Sequence, residues 1–496
     1  MLCSIMGIPS YFSYIIKNHM RVLSKLSQLK QTTPIHNLYL DCNSIIYDVI
    51  REIQKAGKMK PVPADNFKAV SQRVCAKIQE YIDAVHPSNT VYIAFDGVAP
   101  FAKMNQQRTR RFRSAFMEHA GIVPKSVFNS CLITPGTEFM EYLSNHVSNH
   151  FTDPKIIVSA SDQPGEGEHK LFQHIRDHPP DHKDKNTLVY GLDADLLMLS
   201  IFHSDKGRIF VYREAPEFAK SLNADLENGE AYVLDIEQLC ISISSEMNCK
   251  YPDLRRVFDY AFLCFLLGND FLPHFPALNI RTRGIYSLLE AYKETVGKES
   301  GAFIIEEGQI NWTRFKKVAM WLAKHEDGWI RTEYLKRGEI RFSTTFKNDA
   351  EKEAVFNNAP LVYRATEHYI NPTDYKWQKR YYNTLFSSEA DTEDICTNYY
   401  EGLEWVFRYY TDKCFDWRWK YRFHYPPLLC DLASHSVRTC FFKQPSYNPF
   451  SAKTQLAVVL PCADFDFSSL EFEWAFCRYF WEGHLKIAET DPACLL

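Results

Sequence analysis

In the first half of the chain, apolar residues come in short runs, and several of those runs end on an acid. His36-Asn-Leu-Tyr-Leu-Asp41 is one, Val91-Tyr-Ile-Ala-Phe95 before Asp96 a second, and Leu188 to Gly191 before Asp193 and Asp195 a third. Lys155 to Ser159 and Arg208 to Tyr212 complete the set of predicted strands. Between them the apolar spacing becomes helical. Tyr11, Phe12, Ile15 and Ile16 form one face of a helix with Pro9 near its first turn. Tyr47 to Gln54 and Phe67 to Val85 are two more helices, separated by a Gly- and Pro-containing loop over residues 56–66. This alternation predicts an α/β fold with a mainly parallel central sheet flanked by helices.

Farther on, Val257 to Leu267 is an apolar helix stopped by Gly268, which leaves Asp270 among apolar neighbours. Trp312 to Lys324 has an amphipathic helical pattern, and the polar stretch Ser343 to Ala359 is expected to be a loop. Tyr375 to Phe386 is a helix rich in aromatic and basic residues, Ser387 to Asp394 an acidic, mobile connection, and Asn398 to Tyr410 another helix. Phe415 to Asp431 is aromatic and irregular, interrupted by Pro426 and Pro427. The change of pattern divides the chain into an α/β region, 1–300, and a mostly helical, aromatic-rich region, 301–496.

Composition narrows the class. The chain has 496 residues, 46% of them hydrophobic, which suffices for two or three domains' worth of core. With a formal net charge of −4, a nucleic-acid partner must be held by a local patch rather than by the whole surface. The 14 cysteines show no C-x-x-C spacing, which argues against the usual zinc sites, and the size of the chain argues against a disulfide framework; reduced thiols in the cytosol or nucleus fit best. No apolar run is long enough to span a bilayer, and no basic n-region precedes the first apolar residues; Met6 before Gly7 offers an alternative start.

The acids carry the chemistry. Asp41, Asp96, Asp193 and Asp195 fall at the carboxyl edge of the predicted sheet, where open α/β folds bind ligands. Capping of the following helices explains any one of them but not all four. Glu166 and Glu168 lie in Pro164-Gly-Glu-Gly-Glu-His169; two residues apart, they cannot share a helix face, so at least one belongs to the turn before the helix. With Asp270 they make seven carboxylates from five segments. Grouped like charges need a counter-charge, and a pair of divalent cations is the usual one.

The stretch Phe101 to Arg113 carries five positive charges and no acid. On a helix, Lys103, Gln107, Arg110 and Arg111 share one face spanning about 12 Å of axis. Three cations and an amide there could close on a phosphate, and the position just after Asp96 argues against a merely solvated basic face. Trp417 and Trp419 lie on one side of a strand-like alternation, with Arg418 and Lys420 on the other. Aromatic faces stack bases without reading sequence, although core packing accounts for most aromatics in the chain.

Several blocks, in order, resemble the XRN-type 5′→3′ exoribonucleases. These are Gly7 to Phe12, Leu40 to Ile46, Asp96-Gly-Val-Ala-Pro100 continuing to Phe112, Pro164 to Lys170, Tyr190 to Asp195 and Gly268 to His274. Trp377 to Tyr382, Trp417 to Pro426 and Tyr479 to Glu482 resemble pieces of that family's second conserved region. The resemblance implies a PIN/FEN-like nuclease fold and processive release of 5′-mononucleotides from single-stranded RNA bearing a 5′-monophosphate. It also implies Mg²⁺ or Mn²⁺, two ions, held by Asp41, Asp96, Glu166, Glu168, Asp193, Asp195 and Asp270, which would be the catalytic set. Lys103, Gln107, Arg110 and Arg111 match the family's 5′-phosphate pocket, which a capped or triphosphorylated end would not fit. Tyr47 stands where the family stacks a histidine on the 5′ nucleotide; a tyrosine ring can stack but brings no charge. Either Trp417 or Trp419 matches the partner tryptophan.

Ser44 and Cys42 are further departures, in place of the usual Gly and Met. The expected member is compact and core-only, monomeric and cytoplasmic. Two rivals are a structure-specific 5′ flap endonuclease, which shares the carboxylate logic, and a catalytically inactive RNA-binding scaffold, which would have no reason to gather seven repelling acids.

Overall fold

The computed structural model describes residues 8, 10–125, 128–214, 230–341, 343–386, 390–437, 440–461 and the short paired segments 472–473 and 484–485. Gly7, Pro9 and the closing Tyr479–Glu482 block lie outside the described residues. The core is a seven-stranded sheet built from β1 (Leu23–Lys25), β2 (Asn37–Asp41), β3 (Thr90–Ala94), β4 (Ile156–Ser159), β5 (Asn186–Tyr190), β6 (Arg208–Glu214) and β7 (Ala231–Asp235). Their order is β1-β7-β6-β5-β2-β3-β4. β2 to β6 pair in parallel, while β7 and β1 add an antiparallel edge. That edge lies outside the expected strands: β1 is only three residues long, and β7 runs the other way, so its closing Asp235 lies beside the start of β6, away from the crevice, and caps the following helix.

The period of two along each strand sorts the side chains. Leu38, Leu40, Ile93, Leu188 and Phe210 face one side, packed by the helices Asn43–Lys55, Phe67–Val85 and Glu138–His150. Tyr39, Tyr92, Val189, Ile209 and Val211 face the other, toward the helices Tyr11–Asn18, Gly167–Asp177, Asp195–Phe202, Ile236–Met247 and Arg256–Cys264. The second core continues without a break to Ala433, so the helical region shares its packing with the sheet.

The register aligns the strand ends. Leu40 pairs with Ile93 and Tyr190, and Asp41 with Ala94, which brings the segments after β2, β3 and β5 out at one edge. From β2 the chain moves to β3 and β4 on one side and returns as β5 on the other. The switch in direction therefore lies between β2 and β5, and it opens a crevice at their carboxyl ends.

In the second region the helix expected to end near Lys324 runs on from Trp312 to Glu339. Its buried face continues through Glu326, Trp329, Ile330 and Glu333, where two acids stand in for apolar residues. Glu326 accepts from the Leu429 and Cys430 amides at 2.6 and 2.9 Å, so its burial serves the start of the neighbouring helix Leu429–Ser434. The stretch expected to be a loop from Ser343 to Ala359 contains the helix Asp349–Asn357. Asn348 caps the Glu351 amide at 2.9 Å and Glu351 reaches back to the Lys347 amide at 2.7 Å, a reciprocal cap that polar composition conceals. The later helix spans Thr392–Thr411, six residues earlier than its expected start at Asn398. Trp417 and Arg418 form a turn, and Trp419 and Lys420 continue it without strand pairing.

Candidate active site

Each acid reaches the crevice by a local device. Asp41 closes β2, and Asp96 follows β3, where the Asn43 side chain grips it: the Asp96 amide donates to Asn43 Oδ1 at 3.0 Å and Asn43 Nδ2 donates to Asp96 Oδ2. Glu166 is extended at the N-cap of the helix Gly167–Asp177, with Glu168 in its first turn, so the two carboxylates converge from turn and helix. Gly167 allows the close packing. A Cβ there would fall 2.6 Å from Asp41 Oδ1, while the Gly167 amide donates to Asp96 Oδ1 at 2.7 Å. Asp195 opens the helix Asp195–Phe202. Gly268, at φ 86°, ends the helical segment before Asp270 and turns that acid inward.

Within the crevice, Lys103 Nζ lies 2.5 Å from Glu166 Oε2 and 2.6 Å from Asp270 Oδ2. Burial opposes its charge, but Asp270 and Glu166 outweigh burial and hold the ammonium well above the usual lysine range. Tyr409, on the helix Thr392–Thr411, donates to Glu166 Oε1 at 3.0 Å, and Tyr410 is buried beside Asp195. Lys170 braces the rear, donating to the Phe95 and Ala160 carbonyls at 2.9 and 2.8 Å. Burial pushes it down to about 8.

One lysine does not neutralise seven carboxylates. Burial, then Asp96 and Asp193, raises Asp41; burial, then Asp195, raises Glu168; burial, then Asp270, raises Asp195. Burial also lifts Glu166 against Lys103, and pushes Asp193 up to about 6. Glu168 Oε2 and Asp195 Oδ1 are buried without a hydrogen-bond partner. Ligand atoms of Asp41, Glu168 and Asp193 lie within 4.8 Å of one another, as do those of Glu166, Glu168 and His169. A carboxylate set of this kind, with unmet buried oxygens, fits a hard divalent cation. His169 stacks on Tyr409, and burial pushes its ring well below the usual histidine range.

The basic helix Phe101–His119 leaves the same edge. Lys103 is drawn into the acids. Gln107 is buried and accepts from Gln455 Nε2 at 3.4 Å. Arg111 donates to the Ser130 and Ile133 carbonyls at 3.3 and 3.0 Å, and burial lowers its guanidinium. Arg110 is half-buried on the same helix, and Tyr47, half-buried, lies within electrostatic reach of Arg111. Trp417 is half-buried and its carbonyl accepts from the Phe101 amide at 2.9 Å, which ties it to the start of the basic helix. Trp419 is buried and stacks on Trp405, centroids 5.0 Å apart at 22°.

Asn43, Tyr409, Tyr410 and His169 join the site without having been singled out. Asn43 and His169 sit inside the motifs that carry the acids, which was the available signal. The two tyrosines had none, in a chain with 28 of them.

A mainly parallel sheet with acids gathered at its carboxyl edge is the arrangement of the PIN/FEN-like nuclease class. Within that class, the chain belongs to the XRN 5′→3′ exonuclease family: residues 6–215 match the "XRN 5'-3' exonuclease N-terminus" and residues 250–373 and 373–470 the "Xrn1 helical domain". It is 29% identical to human 5'-3' exoribonuclease 1 over 92% of this chain and 30% of that protein. Against 5'-3' exoribonuclease 1 of Saccharomyces cerevisiae the figures are 29%, 92% and 39%. Against 5'-3' exoribonuclease 2 of Arabidopsis thaliana they are 25%, 99% and 67%. The chain thus spans well under half the length of the first two relatives. Among the described residues, no helix is long and apolar enough to cross a membrane.

Proposed function

We propose that this protein is a metal-dependent 5′→3′ exoribonuclease that removes nucleotides processively from single-stranded RNA bearing a 5′-monophosphate. The observation that carries this reading is the gathering of the acids at the switch point of the sheet, where Lys103 of the basic helix touches Glu166 and Asp270. In this reading, residues 1–300 hold the acids and the phosphate helix, and residues 301–496 complete the channel.

Bound Mg²⁺ or Mn²⁺, two ions, would activate the attacking water and stabilise the leaving oxygen. Asp41, Asp96, Glu166, Glu168, Asp193, Asp195 and Asp270 would hold them, with Asn43 and Tyr409 fixing Asp96 and Glu166 in place. Gln107, Arg110 and Arg111 grip the terminal phosphate, and Lys103 carries positive charge from the acids toward it. Tyr47 and Trp417 flank the 5′ base; Trp417 is assigned this role over Trp419 because part of its surface is open. Water attacks the second phosphorus and the bond to the first nucleotide's O3′ breaks. A 5′-mononucleotide leaves and the next nucleotide keeps its 5′-phosphate, so each turnover regenerates the end that the pocket grips. Free thiols at every described cysteine accord with a cytoplasmic setting, and nothing in this scheme needs a second subunit.

The test compares RNA carrying a 5′-phosphate, a 5′-hydroxyl or a cap, with Mg²⁺ present or chelated. Rapid loss of the 5′-phosphate RNA alone, with metal alone, is expected. Arg110→Ala should narrow the preference for the phosphate by about 1.5–3 kcal/mol, the worth of a charged hydrogen bond. Equal rates on all three ends would refute the pocket, and internal cleavage of a 5′-blocked substrate would favour a flap endonuclease.

A further inference from the structure

His169 has no part in the scheme above, yet it is among the most constrained side chains of the crevice. It is 6% exposed in the first turn of the helix Gly167–Asp177, directly after Glu168. Its ring lies flat on Tyr409, centroids 3.7 Å apart at 20°, and meets Tyr410 edge-on at 5.2 Å. These contacts fix the ring plane, but a phenyl ring would make them equally well. An imidazole adds two nitrogens, and both are buried without a hydrogen-bond partner of good geometry. Unmet polar atoms in such a place are costly unless a ligand meets them.

The same ring contributes a nitrogen to a trio with Glu166 and Glu168 whose ligand atoms all lie within 4.8 Å of one another. The Tyr409 backbone carbonyl lies beside the ring, where it favours a proton on the ring. A metal-bound histidine commonly directs its other N–H at such a carbonyl. Glu166 lends its oxygens to Tyr409 and Lys103, and each carboxylate oxygen keeps a further lone pair.

We propose that His169 is a nitrogen ligand of one of the two cation positions, together with Glu166 and Glu168. The proposal rests on the reading of the acids as a metal site and makes its two halves chemically unequal. Asp41, Glu168 and Asp193 form an all-oxygen position suited to Mg²⁺. The position that includes His169 favours a transition-metal ion, because imidazole is a softer donor than carboxylate. Glu168 belongs to both trios and sits between the two positions.

The experiment loads the full chain with Mn²⁺ and records its electron spin-echo modulation. Nitrogen-14 modulation is expected in the wild type, lost in both His169→Asn and His169→Gln, with Mn²⁺ affinity at the second equivalent weakened at least about tenfold. Circular dichroism and melting temperature check that each variant folds, and nitrogen-15 histidine labelling of the wild type reads the coupling even if neither does. Mn²⁺ bound without nitrogen coupling would mean that water serves the ring, and would overturn this proposal alone. Failure to bind Mn²⁺ at all would overturn it together with the metal-site reading.

Discussion

Lys103 sits among the buried acids, between Glu166 and Asp270, with both contacts near 2.5 Å. Breaking a buried pair by deleting one partner costs about 3–5 kcal/mol, because the other charges are left uncompensated. Lys103→Met is therefore expected to lose that much stability in urea unfolding with chelator, and to regain part of it with saturating Mn²⁺. Unchanged stability in chelator would remove the internal counter-charge role. The same crowding sets a pH dependence. Asp193 is held at about 6 against an ordinary 3.8, and Asp41, Glu168 and Asp195 are raised in the same direction. Between the two values the folded chain binds more protons than the unfolded one, so stability is greatest at low pH and is lost as pH rises through the folded values. The chelated protein should thus lose stability steadily between pH 4 and pH 7, a trend that stability measured flat or rising over this range would contradict. These acids are legible in the sequence because four of them close apolar runs and two more flank Gly167, and helix capping explains any one of them but not the set. Tyr409 was not, because a tyrosine inside an apolar helix face looks like core until its hydroxyl is seen on Glu166.

Elements whose pattern is locally determined were legible to within a residue or two. The helix Phe67–Val85 begins and ends where its apolar spacing does. The helix Trp312–Glu339 was cut short because Glu326 and Glu333 interrupt its apolar face, and their burial depends on partners about 50 to 100 residues away, Asn279 and Leu429. That helix also carries Gly328, where an added Cβ would meet nothing within 4 Å and the backbone is helical. Glycine inside a helix costs about 0.5–1 kcal/mol relative to alanine. Gly328→Ala is expected to stabilise the protein by that amount in chemical denaturation; destabilisation would show that something packs closely on this face. Gly167, on the helix Gly167–Asp177, behaves oppositely. Its missing side chain makes room for Asp41, so Gly167→Ala should disrupt the acid cluster even though it favours the helix.

For the whole molecule, the division of the chain near residue 300 is a division of pattern rather than of packing. One hydrophobic core runs from Ile8 to Ala433, and the second region delivers Tyr409 to Glu166. All nine tryptophans lie at or beyond Trp312, whereas six of the seven acids lie before Leu196. Tryptophan fluorescence therefore watches one region while a ligand of the acids would act on the other. The path between them is short: Trp405 lies 5.0 Å from Tyr409, and Tyr409 bonds to Glu166. If the regions unfold as a unit, a ligand bound to the acids must raise the fluorescence midpoint as much as it raises the midpoint by circular dichroism. A divalent ion at a hundred times its dissociation constant contributes about 2.7 kcal/mol to folding. Adding Mn²⁺ to the chelated protein at pH 8 is expected to move both midpoints together by an amount of that order. A tryptophan midpoint that stays fixed while the circular dichroism trace splits in two would mean that the Tyr409 and Tyr410 contacts do not couple the regions.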